Sequence, residues 1–165
     1  MMRQFVSVFI VTFILANAFF AAKAATVYET LESLKYTEYL DMVKAAGMDS
    51  QFNDSSVTWT VFAANNTGVN ATLAPKHLVV SNITSNATES KDIIEYTLYN
   101  HTLLSDDIKT GTTILTAVNG MNLTVVKNTT GIFVNGIMVV TPNITADKSV
   151  IYEMDSLLIP PDIKL

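Results

Sequence analysis

The chain has 165 residues, 49% of them hydrophobic, with 10 basic and 15 acidic side chains and no cysteine, for a formal charge of −5. Without cysteine there are no disulfide staples, thiol nucleophiles or cysteine metal ligands, so packing alone must hold the fold. The acidic balance, with Arg3 as the sole arginine, excludes a nucleic-acid binder, which needs clustered cations to displace counterions and arginine forks to read bases.

Residues 1–24 read as a secretory signal peptide. Arg3 supplies the positive start, Phe5 to Phe20 an apolar run, and Ala22-Lys23-Ala24 a small-x-small cleavage site. Cleavage after Ala24 leaves residues 25–165 as a single domain with no stable membrane span and a formal charge of 8 − 15 = −7, since Arg3 and Lys23 go with the signal. Retention of 1–24 as an anchor is the alternative, because the apolar run is close to the length that spans a bilayer. The polar end Pro160–Leu165 lacks the hydrophobic tail of a lipid-anchor signal.

Thr26-Val27-Tyr28-Glu29 has capping-box spacing and predicts a short helix to about Leu34. A second helix starts near Thr37, with Leu40, Val43 and Ala46 on one stripe and Gly47 as its stop. Val57 to Ala63 alternates large and β-branched side chains and predicts a core strand around Trp59. Asn70 to Glu89, with Pro75 in its midst, reads as a loop, and Ser90 to Tyr99 as a helix with Ile94 and Leu98 one turn apart. From His101 onward the pattern is β: Thr113 to Ala117, Met121 to Val126, Ile132 to Val134, Ile137 to Val140 and Ser149 to Met154. The breaks at Asn119-Gly120, Thr130-Gly131 and Asn135-Gly136 carry hairpin-turn chemistry. Helices first and a meandering sheet after them make an α+β domain.

Nine Asn-x-Ser/Thr acceptor sequences begin at Asn53, Asn65, Asn70, Asn82, Asn86, Asn100, Asn122, Asn128 and Asn143. That is well above the roughly two or three expected by chance, and it predicts a secreted glycoprotein with these asparagines at its surface. In Met121-Asn122-Leu123-Thr124-Val125 the apolar residues alternate with the acceptor residues, which places Asn122 and Thr124 together on the polar face.

Four segments then carry a resemblance that covers about residues 26–161. Thr60-Val61-Phe62-Ala63-Ala64-Asn65-Asn66 resembles the first signature, T-V-F-A-P-T-N, of the fasciclin-type (FAS1) extracellular adhesion domain. Asn100-His101-Thr102-Leu103 is similar to its central Tyr/Asn-His motif, and Val134-Asn135-Gly136 to the hairpin before its second signature. Val150 to Pro160, with Ile151, Asp155, Leu157 and Pro160 at matching positions, resembles that second signature. The resemblance implies N-terminal helices packed on a wedge of two mainly antiparallel β-sheets, with the two signature strands side by side in the core. It implies a non-catalytic protein of cell adhesion or the extracellular matrix that binds another extracellular or cell-surface protein or a glycan; a single domain offers limited area, so useful avidity would need weak self-association or a multivalent partner. The departures are Ala64 and Asn65 in place of the family's Pro-Thr, Gly68-Val69 in place of Ala-Phe, and a sugar-rich loop at 70–89 where the family has short helices. Animal members bind integrins through a Tyr-His pair and an Asp-Ile. Here these are Asn100-His101 and Asn143-Ile144, and no Arg-Gly-Asp occurs, so no particular integrin is implied.

Candidate contact residues are Asn100 and His101, with Tyr36 and Tyr39 near the start of an amphipathic helix as surface aromatics. The structural reading of His101 is a half-buried histidine tying the helix end to the Asn66 corner. No catalytic, metal or cofactor residues are nominated: Asp106-Asp107 follows Ser105 as a turn start, and Asp147 and Asp155 lack a third ligand nearby. A carrier of a small apolar ligand is the alternative function and would need an apolar pocket. A polysaccharide hydrolase would need two facing carboxylates, and no pair qualifies.

Overall fold

A computed structural model describes residues 23–165; the signal peptide expected at 1–24 falls almost wholly outside them. The helical half comprises α1 (Val27–Ser33), α2 (Thr37–Ala45), α3 (Asp49–Phe52), α4 (Asn66–Leu73), α5 (Val80–Thr84) and α6 (Ala87–Tyr96). The strands are β1 (Thr60–Ala64), β2 (Leu98–Tyr99), β3 (Gly111–Thr116), β4 (Asn122–Asn128), β5 (Gly131–Val134), β6 (Ile137–Ala146) and β7 (Ser149–Met154). Short 3-10 turns lie at Ala74–Lys76 and Ser105–Asp107.

Local chemistry sets several boundaries. The capping box forms as predicted: the Glu29 amide donates to Thr26 Oγ1 at 3.2 Å and the Thr26 amide to Glu29 Oε2 at 2.8 Å. The Thr26 amide on its carboxylate holds the Glu29 pKa below its ordinary value. Asn135 and Gly136 both take positive φ, 51° and 82°, as a two-residue hairpin between β5 and β6 requires. Asn135 also anchors the turn, accepting from the Thr124 amide at 2.8 Å and donating to the Tyr96 hydroxyl at 2.7 Å.

The strands form one seven-stranded ladder in the order β2-β1-β7-β6-β5-β4-β3. β1 and β7 pair in parallel, with Val61 opposite Ile151 and Phe62 opposite Tyr152, and the other pairings are antiparallel. The two signature strands thus lie side by side in the core, as the resemblance implied. In place of two separate sheets, β6 is shared between the halves, and its register slips twice between Val139 and Ile144; such bulges bend a strand and increase its twist. Every residue of β1 is buried. The Phe62 and Tyr152 rings meet at 5.5 Å between centroids, and Phe52 packs on Trp59 at 5.4 Å, edge to face. Each such fully buried side chain stabilises the fold by about 1.5–3 kcal/mol.

Three expected elements change. The first core strand begins at Thr60 rather than Val57, because just before it the Ser149 side chain takes the place of a ladder partner: its hydroxyl accepts from the Trp59 amide and donates to the Val57 carbonyl, both at 3.0 Å. The expected loop at 70–89 is mostly helical. Asn65 caps α4 by accepting from the Gly68 amide at 2.9 Å, Asn86 caps α6 from the Glu89 amide at 3.2 Å, and Val69, Leu73 and Ile83 are fully buried. The helix expected at 90–99 runs from Ala87 to Tyr96, and Leu98 has already entered a strand against Val61.

Gly68 explains the departure from Ala-Phe. A Cβ there would lie 2.9 Å from the Asp155 carbonyl oxygen and 3.1 Å from that of Met154. The backbone of α4 therefore rests directly on the end of β7, an approach only glycine permits.

Candidate functional site

The candidate surface is built by a segment, residues 100–105, that leaves edge strand β2 and crosses the end of the central strands. Its inner side is fastened by side chains of both signature strands. Thr60, fully buried on β1, donates its hydroxyl to the His101 carbonyl at 2.7 Å and accepts from the Leu103 amide at 2.9 Å. Tyr152, fully buried on β7, donates to the Leu103 carbonyl at 2.8 Å, and burial raises its phenol pKa well above the usual value. The Thr102 hydroxyl donates to the Lys148 carbonyl.

Ser105 closes the segment onto β6. Its amide donates to Asn143 Oδ1 at 2.9 Å, Asn143 Nδ2 donates to the Ser105 hydroxyl at 2.6 Å, and Lys127 Nζ donates to the Ser105 carbonyl at 2.7 Å. Asn143 holds a left-handed φ of 59° within the bulged part of β6. The structure thus brings Asn100-His101 and Asn143-Ile144, 42 positions apart (143 − 101), to one end of the sheet.

What remains outward is Asn100, His101, Thr102 and Leu104. The His101 ring lies against Tyr99 with centroids 5.2 Å apart. His101 is therefore exposed, its ring tilted 41° to that of Tyr99, and not half-buried against Asn66. Asn66 instead accepts from the Glu38 amide at 3.1 Å and donates to the Thr37 hydroxyl at 2.8 Å, joining α4 to the start of α2. Leu104, 47% exposed, escaped sequence reasoning. Nothing in Leu103-Leu104 shows which leucine faces inward until the fastening of the segment is known.

Tyr36 and Tyr39 are not surface residues. Both are buried, and Tyr39 shares a 2.5 Å hydrogen bond with the Thr97 hydroxyl between α2 and the end of α6. Burial raises both phenol pKa values, and for Tyr36 the neighbouring Glu153 carboxylate adds to the effect. Glu153 itself accepts from Asn65 Nδ2 and from the Thr141 hydroxyl, each at 2.7 Å.

Eight of the acceptor asparagines are exposed; Asn65 is half-buried, its amide shared between the α4 cap and Glu153. Behind the 100–105 segment is a cleft of about 320 Å³ lined by Tyr99, Leu103, Ile108, Leu115 and Val125, with Asp107 and Lys109 also in its wall. Among the described residues no group of three or more His, Cys, Asp or Glu side chains is placed to hold a metal ion. No helix there is long and apolar enough to cross a membrane.

This arrangement of signature strands and crossing segment defines a FAS1 domain. The fasciclin domain model matches residues 34–160, and the chain belongs to that family. Its fold is similar to a FAS1 domain pair from the insect cell adhesion molecule Fasciclin I, with a TM-score of 0.68 at 20% identity. The match covers 82% of this chain and 51% of that one, so this chain spans about half the length of its structural relative. No curated protein sequence matches the chain. FAS1 domains are typical of cell-adhesion and extracellular proteins and are generally non-catalytic.

Proposed function

We propose that this is a secreted, N-glycosylated adhesion or matrix protein that recognises an extracellular protein or glycan, without catalysis, through Asn100, His101 and Leu104. The observation that carries this reading is the fastening of the 100–105 segment by Thr60 and Tyr152. Buried anchors fix the backbone while the outward side chains stay free for contact, so little conformational entropy is lost on binding. A patch this small makes a weak contact, and avidity comes from self-association or a multivalent partner.

Adhesion of cells and clustering of beads coated with the secreted protein test the reading, alongside His101→Ala and Leu104→Asp variants. Both variants are expected to keep the wild-type thermal midpoint and lose adhesion. Equal adhesion by all three proteins refutes the assignment of this surface, and no adhesion by the wild type refutes the adhesive role. Cleavage after Ala24 is read from the N-terminal sequence of the secreted protein.

The apolar cleft behind the same segment favours a second reading, a carrier of a small apolar ligand. Extraction of the purified protein with organic solvent tests it. A stoichiometric apolar molecule supports a carrier, and a Leu115→Trp variant, which fills the cleft, should then emerge empty.

A further inference from the structure

The outer face of the antiparallel half-sheet carries an apolar row that no helix among the described residues covers. Strand register places Val126 of β4 beside Phe133 of β5, and Phe133 beside Met138 of β6. Ile114 of β3 faces Thr124 on the same side, one pair further along. The inner neighbours Leu115, Val125, Val134 and Val139 are buried, whereas Val126 and Phe133 are half-buried, Ile114 is 56% exposed, Met138 44% and the adjoining Val140 52%. Apolar surface of this kind left in contact with water is an aggregation liability.

The same face carries two acceptor asparagines. Side chains alternate along a strand, so Asn122, Thr124, Val126 and Asn128 of β4 all point outward together. Asn122 and Asn128 bracket the row, separated by about 20 Å, six residues at the rise of an extended strand. Asn128 faces Gly131 across the ladder. Gly131 leaves the space beside it empty, and the first atom a side chain there would meet is the Met138 methyl, at 3.9 Å. A sugar on Asn128 would have that gap beside it, with Met138 and Phe133 next along the face.

Neither asparagine sacrifices a native hydrogen bond to a sugar. Asn128 accepts through Oδ1 from the Thr130 amide and hydroxyl and the Gly131 amide, which leaves Nδ2 uncommitted. Asn122 contributes its backbone carbonyl to the Tyr96 hydroxyl, and its side chain is exposed. By contrast, Asn65 and Asn143 have both amide atoms engaged.

We propose that Asn122 and Asn128 carry N-linked sugars whose role is to cover the apolar row Val126–Phe133–Met138 with Ile114, keeping this face from self-association. The inference rests on the glycoprotein reading above and assigns a task to two of its sites. In the transfer, Nδ2 forms a bond to the anomeric carbon of a lipid-diphosphate-linked oligosaccharide, a proton leaves the amide, and the lipid diphosphate departs.

The test uses the full chain secreted from a glycosylating host. Three proteins are compared: wild type, a Thr124→Ala/Thr130→Ala pair that removes both acceptor sequences while keeping the asparagines, and a Ser55→Ala/Thr84→Ala pair that removes the sites at Asn53 and Asn82. Site occupancy is mapped by mass spectrometry, apolar exposure by binding of a hydrophobic dye, and association by size-exclusion chromatography. Sugar at both sites, with a several-fold rise in dye binding and a shift to larger species only in the Thr124/Thr130 variant, is the expected result. Adding Ile114→Thr and Met138→Thr to that variant should return dye binding to the wild-type level. An empty Asn122 or Asn128 beside loaded sites elsewhere overturns the inference and leaves the glycoprotein reading standing. A chain with no sugar anywhere overturns both. Unchanged dye binding on loss of the two sugars, or an equal rise in the Ser55/Thr84 variant, also overturns it.

Discussion

Replacing Gly68 with alanine should destabilise the protein, although alanine is the better helix former. In an open helix the exchange would stabilise by about 1 kcal/mol. Here the new Cβ would stand 2.9 Å from the Asp155 carbonyl oxygen, at least 0.5 Å inside the 3.4 Å where ordinary contact begins, and the obstacle is backbone. α4 must then lift away from β7. That strains the Leu157 amide on the Thr72 hydroxyl at 2.9 Å and the packing of buried Val69. Overpacking of this kind costs about 1–3 kcal/mol, so the net expectation is a loss of about 1 kcal/mol for alanine, and more for valine, which adds bulk and a stiff χ1. Urea unfolding measures it as a lower midpoint at an unchanged m-value. Ala71→Gly, exposed on the same helix, should cost about 1 kcal/mol from propensity alone and calibrates the scale. If Gly68→Ala raises the midpoint, the close approach of α4 to β7 is wrong.

Phe62→Asp places an unpaired charge against Tyr152 at the centre of the core; at several kcal/mol against a marginal total, it should abolish secretion, read by immunoblot of the medium. Thr60→Val keeps the shape of β1 but leaves the Leu103 amide and His101 carbonyl without their buried partner. A loss of about 1–3 kcal/mol is expected, with faster hydrogen exchange at Leu103 and weaker adhesion. Tyr36, Tyr39 and Tyr152 have phenol pKa values raised by burial, so the folded state resists their ionisation. Their contribution is complete below the unfolded tyrosine pKa of about 10 and declines as pH rises above it, by up to about 1.4 kcal/mol per pH unit for each. Chemical denaturation at pH 9 and pH 11 should show the drop, and Tyr39→Phe should flatten it.

Much of this architecture was legible because its determinants are local. The Thr26–Glu29 box and the Asn135-Gly136 turn each settle their backbone within four residues, and both formed as read. The alternation of β4 likewise placed Asn122 and Thr124 on one face. The helices at 66–73 and 80–84 and the first turn of α6 at 87–89 were hidden by composition, since Asn, Thr and Ser favour turns as readily as helix. Their signals were present in the Asn65-to-Gly68 and Asn86-to-Glu89 cap spacings and in Val69 and Leu73 one turn apart. Tyr36 and Tyr39 belong to the same i, i+3, i+4, i+7 stripe as Leu40 and Val43, so their burial was readable once the phenols were granted partners. The setting of His101 was not readable. Its exposure follows from bonds to residues 41 and 49 positions away from their partners on the segment, a relation no window of sequence contains.

The parallel pairing of β1 with β7 has a kinetic meaning. Thr60 meets Val150 and Ala64 meets Met154, so the central seam of the sheet joins stretches about ninety positions apart (150 − 60). Ordering so long an intervening chain before any reward arrives makes assembly slow. During synthesis the first signature strand has only its helical neighbours and β2 to lean on, and the domain cannot lock until residues 149–154 have emerged. Until then Asn65, the cap of α4, lacks the Glu153 carboxylate that its amide meets in the finished domain.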